Sequence, residues 1–239
     1  MSCIGPQQGH QERLAVGRVN PTGYSMTESD WFHTARILQT HALRGPVAVL
    51  LDAAYCAYAP HGIVRALGAL EPLLDKLVVL VAWSASKTFT QYGLRVGCLA
   101  GVVPEWGERQ RWQRALGYAC RGTWSTCNRG GMAAVTRLLV DPEFSTRVSV
   151  ERGAILDRLG GRVSVFNELA RAAGLRFPRY DGGFFVTVFN DDPSRTAAKM
   201  RADGVYVVPL EEGLRIALCS IATADVPKVV QALVRASST

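Results

Sequence analysis

The feature that most constrains the fold is an alternation of short apolar runs with stretches of helical spacing. Residues 47–52 and 77–83 are strand-length and almost wholly apolar, and residues 62–74 between them have helical periodicity. Strands that are apolar on both faces and alternate with helices are typical of a parallel sheet covered on both sides. Residues 95–102 extend the pattern. We therefore expect an α/β fold whose large domain has a mostly parallel sheet with helices on both faces.

Turn and capping signals delimit further elements. A strand over 13–19 ends at the turn sequence Asn20-Pro21-Thr22-Gly23, and a helix over 27–40 has Thr27 as its N-cap and Asp30 as a weaker capping-box partner. The other predicted elements are helices at 104–139 around an irregular stretch at 121–128, a helix at 143–173 interrupted near Gly160-Gly161, strands at 184–189, 205–208 and 214–218, and helices at 194–202 and 226–237.

The pattern changes near Pro142, from long α/β units to short strands and helices. This change predicts an N-terminal extension over 1–19, a large domain over 20–145 and a small α+β domain over 146–239.

Composition excludes several classes of protein. The net charge is +7, but the arginines are scattered without a basic run, so we expect no nucleic-acid partner. No apolar run reaches the roughly 18–20 residues of a membrane span, and residues 1–9 lack the pattern of a signal peptide, so we expect a cytoplasmic protein with no membrane contact. The six cysteines are widely spaced without a Cys-x-x-Cys pair, which predicts buried thiols and no metal site.

Four polar features lie at the expected edges of the strands. Asn20 follows the first strand, Asp52 ends the second with Tyr55 three residues later, and Lys87 follows the third. Arg95 comes eight residues after Lys87. In open α/β sheets, ligands bind at the carboxyl ends of strands. Taken singly, these residues have ordinary explanations: a turn, a helix cap, a surface lysine and half of an ion pair.

Taken together, they provide the groups that pyridoxal 5′-phosphate (PLP) requires. A lysine amine forms a Schiff base with the cofactor aldehyde, and an aspartate keeps the pyridine nitrogen protonated. Asparagine and tyrosine hydrogen-bond the phenolic oxygen, while serine hydroxyls and an arginine hold the phosphate. The order Asn, Asp-x-x-Tyr, Ser-x-Ser-Lys, Arg-x-Gly supplies all of them.

Several segments resemble the class I aminotransferases of the aspartate and aromatic group, which have the fold type I architecture. They are Asn20-Pro21-Thr22-Gly23, Asp52-Ala53-Ala54-Tyr55, Ser84-Ala85-Ser86-Lys87, Arg95-Val96-Gly97 and Leu214-Arg215-Ile216-Ala217. The resemblance implies Lys87 as the Schiff-base lysine and proton shuttle, and Arg215 as the ligand of the substrate α-carboxylate. It also implies Asp52 on the ring nitrogen, Asn20 and Tyr55 on the phenolic oxygen, and Ser84, Ser86 and Arg95 on the phosphate.

A further segment, Arg121-Gly122-Thr123-Trp124-Ser125, resembles the family loop that reaches into the neighbouring subunit's active site. Arg121 then binds a distal substrate carboxylate or forms an interfacial ion pair. The resemblance implies a homodimer with shared active sites.

The chain departs from the family before Asn20, which only nineteen residues precede. Relatives carry a longer portion there, with a glycine-rich phosphate loop and an aromatic residue stacked on the cofactor. Gly5-Pro6-Gln7-Gln8-Gly9 is either a remnant of that loop or a flexible leader, and His10 is a candidate for the stacking residue.

The resemblance implies an aminotransferase that passes an amino group from a donor amino acid to a 2-keto acid, in a ping-pong cycle between PLP and pyridoxamine phosphate (PMP). A β-lyase, a racemase and a non-catalytic partner subunit of the same fold stay open as alternatives. The Ala-, Arg- and Gly-rich composition is typical of a high-GC bacterium. Short aminotransferases occur there in antibiotic pathways, and the chain resembles the small aminotransferases of enduracididine biosynthesis, which implies 2-ketoenduracididine or 2-ketoarginine as the acceptor.

Overall fold

The computed structural model describes residues 10–15, 21–59 and 62–238. The strands are His10–Ala15 (β1), Val47–Asp52 (β2), Leu77–Ser84 (β3), Gly97–Val102 (β4), Val186–Phe189 (β5), Val208–Pro209 (β6) and Gly213–Ile216 (β7). The helices are Glu28–Ala42 (α1), Gly62–Leu70 (α2), Ala85–Thr88 (α3), Trp106–Thr123 (α4), Arg129–Val140 (α5), Pro142–Ala172 (α6), Pro193–Ala202 (α7) and Val226–Ser237 (α8).

Contacts divide the described residues into two compact units. The first holds β1 and residues 26–148, and the second holds residues 21–25 and 149–238. The predicted domain limits of 1–19, 20–145 and 146–239 stay a prediction.

The first unit contains a four-stranded sheet in the order β1-β2-β3-β4. The first three strands are parallel, as predicted, but β4 runs antiparallel to β3. The segment between β3 and β4 holds only the short α3 and a 3-10 turn, Tyr92–Leu94, rather than a helix that would return the chain for a parallel strand. The strand begins at Gly97 rather than Arg95, because Arg95 has a left-handed backbone with φ 52°.

The core of this unit lies against α1 and α2. Burial alternates along β2, where Val47, Val49 and Leu51 face the core. The predicted cap of α1 is confirmed: the Asp30 amide donates to Thr27 Oγ1 at 3.2 Å, and the Thr27 amide donates to Asp30 Oδ2 at 2.7 Å. The other buried residues of this core are Trp31, Leu38, Ala66, Leu70, Leu73, Leu77 and Val79.

The second unit packs α6, α7 and α8 with a three-stranded antiparallel sheet in the order β5-β7-β6. Helix α6 runs without a break through Gly160-Gly161, so the predicted interruption is wrong. Leu159, Val163 and Phe166 are buried on this helix, and their burial outweighs the low helix propensity of glycine.

Within the part of the chain that the structure describes, no helix is both long enough and apolar enough to cross a membrane.

Candidate functional site

Asp52 and Tyr55 lie at the carboxyl end of β2. Asp52 is the last residue of the strand and pairs in register with Ala82 of β3, and the Ala53 amide donates to the Ala82 carbonyl at 2.8 Å. The Asp52 side chain is half-buried, and its Oδ1 accepts a hydrogen bond from the Ala54 amide at 3.2 Å. Tyr55 follows as a buried ring. The end of β2 therefore presents a carboxylate and an aromatic ring at the sheet edge, where ligands bind in open α/β sheets.

Lys87 lies in the short helix α3 that follows β3. Ser84 has extended backbone angles and precedes the helix, and the Ala85 amide donates to the Val96 carbonyl at 3.0 Å. Tyr58 is almost fully buried, and its hydroxyl donates to the Lys87 carbonyl at 2.9 Å. These contacts fix the backbone at Lys87. The side chain is half-buried, with Nζ 5.6 Å from the centre of the Tyr55 ring.

Arg95 connects the 3-10 turn to β4, with its guanidinium directed at α3. Its Nη1 donates to Ser86 Oγ at 3.1 Å and to the Tyr92 carbonyl at 2.9 Å. Ser86 is itself buried. A planar guanidinium beside a hydroxyl is suited to a phosphate group, because both donate hydrogen bonds to its oxygens.

Tyr92 brings the two basic side chains together. The centre of its ring is 4.9 Å from Lys87 Nζ and 4.7 Å from Arg95 Cζ. Both distances are within the range of cation–π attraction. Tyr92 is not among the predicted site residues, although its aromatic side chain, five positions after Lys87 and three before Arg95, is a signal for it. The structure thus brings together Ser86, Lys87 and Arg95 around Tyr92, with Tyr55 next to Lys87.

Arg121 belongs to the last turn of α4 rather than to an irregular loop. The helix continues to Thr123, so the irregular segment predicted over 121–128 is limited to residues 124–128. Arg121 Nη1 donates at 3.1 Å to both the carbonyl and the hydroxyl of Ser125, which has φ 66°. A groove of about 450 Å³ runs between Arg95 and the segment after α4, and it is lined by Arg95, Val96, Gly97, Trp124, Thr126, Cys127, Asn128 and Met132.

Arg215 lies in the second unit, on the middle strand β7. It pairs in register with Thr187 of β5 and Val208 of β6. The side chain is half-buried, with Cζ 4.8 Å from the centre of the Phe185 ring. Gly213 allows this pairing because a Cβ there would overlap the Val188 carbonyl. The guanidinium is therefore held on a packed strand, where a carboxylate can bind to its two nitrogens.

Some predicted residues lie outside the described residues, namely Asn20 and Gly5-Pro6-Gln7-Gln8-Gly9. His10 opens β1, and the structure describes only its backbone. Among the described side chains, no group of three or more His, Cys, Asp or Glu residues has metal-binding geometry. The prediction of buried thiols is wrong for the described cysteines: Cys98 and Cys127 are exposed, and Cys56, Cys120 and Cys219 are half-buried.

Comparison with known proteins identifies the family of the chain. The model of the family "Aminotransferase class I and II" matches residues 15–233. An aromatic-amino-acid aminotransferase of Paracoccus denitrificans is 30% identical over 138 residues, which are 57% of this chain and 34% of that protein. An aspartate aminotransferase of Pseudomonas aeruginosa is 29% identical over 153 residues, or 63% of this chain and 37% of that protein.

The same fold occurs in solved structures. The crystal structure of an aminotransferase from Anaerococcus prevotii superposes with a TM-score of 0.88 at 25% identity, covering 96% of this chain and 57% of that one. The chain thus spans little more than half of this solved relative, and its match to the two curated relatives spans about a third of each. The fold is fold type I, and the chain belongs to the class I and II aminotransferase family.

Proposed function

We propose that the chain is a PLP-dependent aminotransferase that passes an amino group from a donor amino acid to a 2-keto acid, alternating between PLP and PMP. The observation that carries this proposal is the cluster around Tyr92, where the Lys87 amine and the Arg95–Ser86 pair meet near the ends of β2 and β3. Membership of the family supports the same reaction.

The residues of the cluster, together with the predicted residues Asp52, Ser84 and Asn20, offer one partner for each group of this cofactor. When bound, PLP supplies an aldehyde carbon for a lysine amine and a ring that withdraws electrons from the substrate. Lys87 offers the amine, and Arg95 with Ser86 and Ser84 offers donors for the phosphate. Asp52 offers the carboxylate for the ring nitrogen, and Tyr55, with Asn20, offers donors for the phenolic oxygen.

The positions of three side chains support their proposed roles. Lys87 is half-buried and fixed at its backbone by Tyr58, so its amine is suited to moving a proton to and from the substrate Cα. Arg95 is held by Ser86 and by the Tyr92 carbonyl, which orients its fork before a phosphate binds. Arg215 is the proposed partner of the substrate α-carboxylate, by a bidentate pair. A residue that binds the α-carboxylate keeps it in place during the reaction, which disfavours decarboxylation as the reaction of this site.

The proposed substrates are amino acids and 2-keto acids, with glutamate or aspartate as donor. The relatives that act on aromatic amino acids and on aspartate support this class. Arg121 is exposed and bound to Ser125, so it is available to a distal carboxylate or to an interfacial ion pair. As acceptors in antibiotic biosynthesis we propose 2-ketoenduracididine or 2-ketoarginine. We further propose a homodimer with shared active sites, working in the cytoplasm.

The proposal is tested by the first half of the reaction. PLP-loaded protein mixed with glutamate, and with no keto acid, should lose its visible absorption band and release one 2-ketoglutarate per site. Lys87→Ala should release none, and Lys76→Ala should behave as wild type because Lys76 is an exposed lysine of the same unit. Formation of D-glutamate would instead indicate a racemase, and continuous release of ammonia from an amino acid with a leaving group on Cβ would indicate a β-lyase.

A further inference from the structure

Two cysteines face each other where α4 ends. The sulfur atoms of Cys120, in the last turns of α4, and Cys127, just before α5, are 3.6 Å apart. Cys127 is exposed and Cys120 is half-buried, and both are free thiols. Nothing in the proposed transamination uses either thiol.

The local fold explains why the two sulfurs meet. Helix α4 ends at Thr123, and Ser125 has a left-handed backbone with φ 66° that reverses the chain. Asn128 then caps α5, accepting a hydrogen bond from the Gly131 amide at 3.0 Å and donating one to the Leu94 carbonyl at 3.0 Å. The turn is fixed at both ends, so Cys127 is directed back at the last turns of α4.

We propose that Cys120 and Cys127 form a redox-reversible dithiol, a modification site that low-molecular-weight disulfides such as glutathione disulfide convert to an intrachain disulfide. A protein disulfide has an S–S distance of about 2.05 Å, so the sulfurs must approach by about 1.5 Å. Cys127 lies outside both helices, so its approach to Cys120 requires neither helix to unwind.

The proposed thiol–disulfide exchange takes place in two steps. The Cys127 thiolate attacks one sulfur of glutathione disulfide, forming a mixed disulfide and releasing one glutathione. Cys120 then loses its proton to solvent and attacks the Cys127 sulfur, which releases the second glutathione. Two protein thiols are oxidised and one external disulfide is reduced to two thiols. The hydrogen bond with Cys127 raises the pKa of the Cys120 thiol, which agrees with Cys127 being the first to react.

The disulfide would restrain the segment that carries Arg121, Trp124 and Ser125. This segment forms one wall of the groove beside Arg95, to which Trp124 and Cys127 both contribute. Oxidation therefore adds a covalent restraint to that wall, and reduction removes it. Intracellular disulfides of this kind are usually transient and sense redox state.

Peptide mapping tests the proposal directly. Trypsin cleaves after Arg114, Arg121 and Arg129, so the two thiols fall on different peptides, residues 115–121 and 122–129. After treatment of the full chain with glutathione disulfide and alkylation of the remaining thiols, these two peptides should appear linked, and dithiothreitol should separate them. Cys98→Ser removes an exposed cysteine outside the pair and should leave the linked peptides unchanged.

Single substitutions separate the two steps. Cys120→Ser should accumulate the glutathione adduct on Cys127, at least about tenfold more than wild type, because the intramolecular second step is lost. The proposal is overturned if wild type keeps a stable glutathione adduct on Cys127, or if the cross-link joins Cys98 or a second chain. The peptide mapping needs no PLP. A negative result there would therefore not bear on the proposed transamination, and a lack of transaminase activity would not bear on the proposed disulfide.

Discussion

Among the residues that the structure describes, three that are not glycine have left-handed backbone angles, and they flank the candidate site. Thr90 and Arg95 lie on either side of Tyr92, with φ of 54° and 52°, and Ser125 follows α4 with φ of 66°. Residues held in this region cost roughly 1–3 kcal/mol each and cluster at functional sites, where the surrounding structure must enforce them. At Arg95 the enforcing contacts are its hydrogen bonds to Ser86 and to the Tyr92 carbonyl.

The Tyr92 ring is predicted to position Lys87 and Arg95 for the cofactor. Cation–π attraction at an exposed site is worth about 0.5–1 kcal/mol, so Tyr92→Leu should weaken PLP binding about 2–5-fold. Tyr92→Phe keeps the ring and should bind PLP as wild type does. Equilibrium dialysis with PLP measures both variants, and equal weakening in Phe and Leu would assign the effect to the hydroxyl rather than to the ring.

At the scale of single residues, the sequence predicts which side chains carry the reactive and charged groups of the site, but it does not predict the contacts between those side chains. Asp52 and Lys87 are predictable because they lie at the ends of apolar strands, and Arg95 because the cofactor needs a phosphate ligand beside them. The spacing of Tyr92 from Lys87 and Arg95 is a sequence signal, but the contacts that Tyr92 and Asn128 make are not predictable, because they depend on the backbone turns at Arg95 and Ser125. The assignment of roles to these residues stays a prediction.

At the scale of elements, two glycines of the second unit should respond oppositely to alanine. A Cβ at Gly213 would overlap the Val188 carbonyl across the sheet, so Gly213→Ala should cost about 1–3 kcal/mol of unfolding free energy. Gly160 lies inside α6 with open space around its Cβ position, so Gly160→Ala should add about 0.5–1 kcal/mol. Urea unfolding followed by circular dichroism measures both, and destabilisation by Gly160→Ala would contradict the continuous helix.

Glu105 makes the start of α4 sensitive to acid. Its carboxylate accepts hydrogen bonds from the Gly107 and Glu108 amides at 2.8 and 2.6 Å, and these bonds lower its pKa from the ordinary 4.5. A lowered folded-state pKa stabilises the fold above the unfolded-state pKa, and that stability is lost as pH falls through the folded value. The unfolding free energies of wild type and Glu105→Gln should therefore differ at neutral pH and converge as the pH falls below 4.5. A difference that stays constant with pH would show that the negative charge of Glu105 is not what stabilises the helix start.

The elements themselves were mostly predictable, since apolar runs and capping signals are local. The direction of β4 was not predictable, because Gly97–Val102 has the same apolar pattern in either direction. The short connection after β3 is what makes β4 antiparallel. The continuity of α6 was likewise hidden, because the burial of Leu159 and Phe166 is tertiary information that overrides the Gly160-Gly161 signal.

At the scale of the whole molecule, the exposed aromatic side chains around α4 are consistent with the proposed homodimer. No residue of α4 is buried, and Tyr118 and Trp106 are 84% and 66% exposed.

Light scattering should give twice the chain mass of 26.0 kDa. Tyr118→Lys should weaken the dimer at least about tenfold, as loss of a buried aromatic anchor does. Gln113→Lys adds the same charge to α4 and should have little effect, and a monomeric wild type would contradict the shared active sites.

The central claim is that Lys87 is the amine that holds PLP, and borohydride reduction tests it most directly. Protein incubated with PLP, reduced and digested with trypsin should carry a single phosphopyridoxyl group on Lys87, at one per chain. Lys87→Ala should carry none at the same PLP concentration, while Lys76→Ala should match wild type. Label spread over surface lysines, or undiminished label in Lys87→Ala, would contradict the claim.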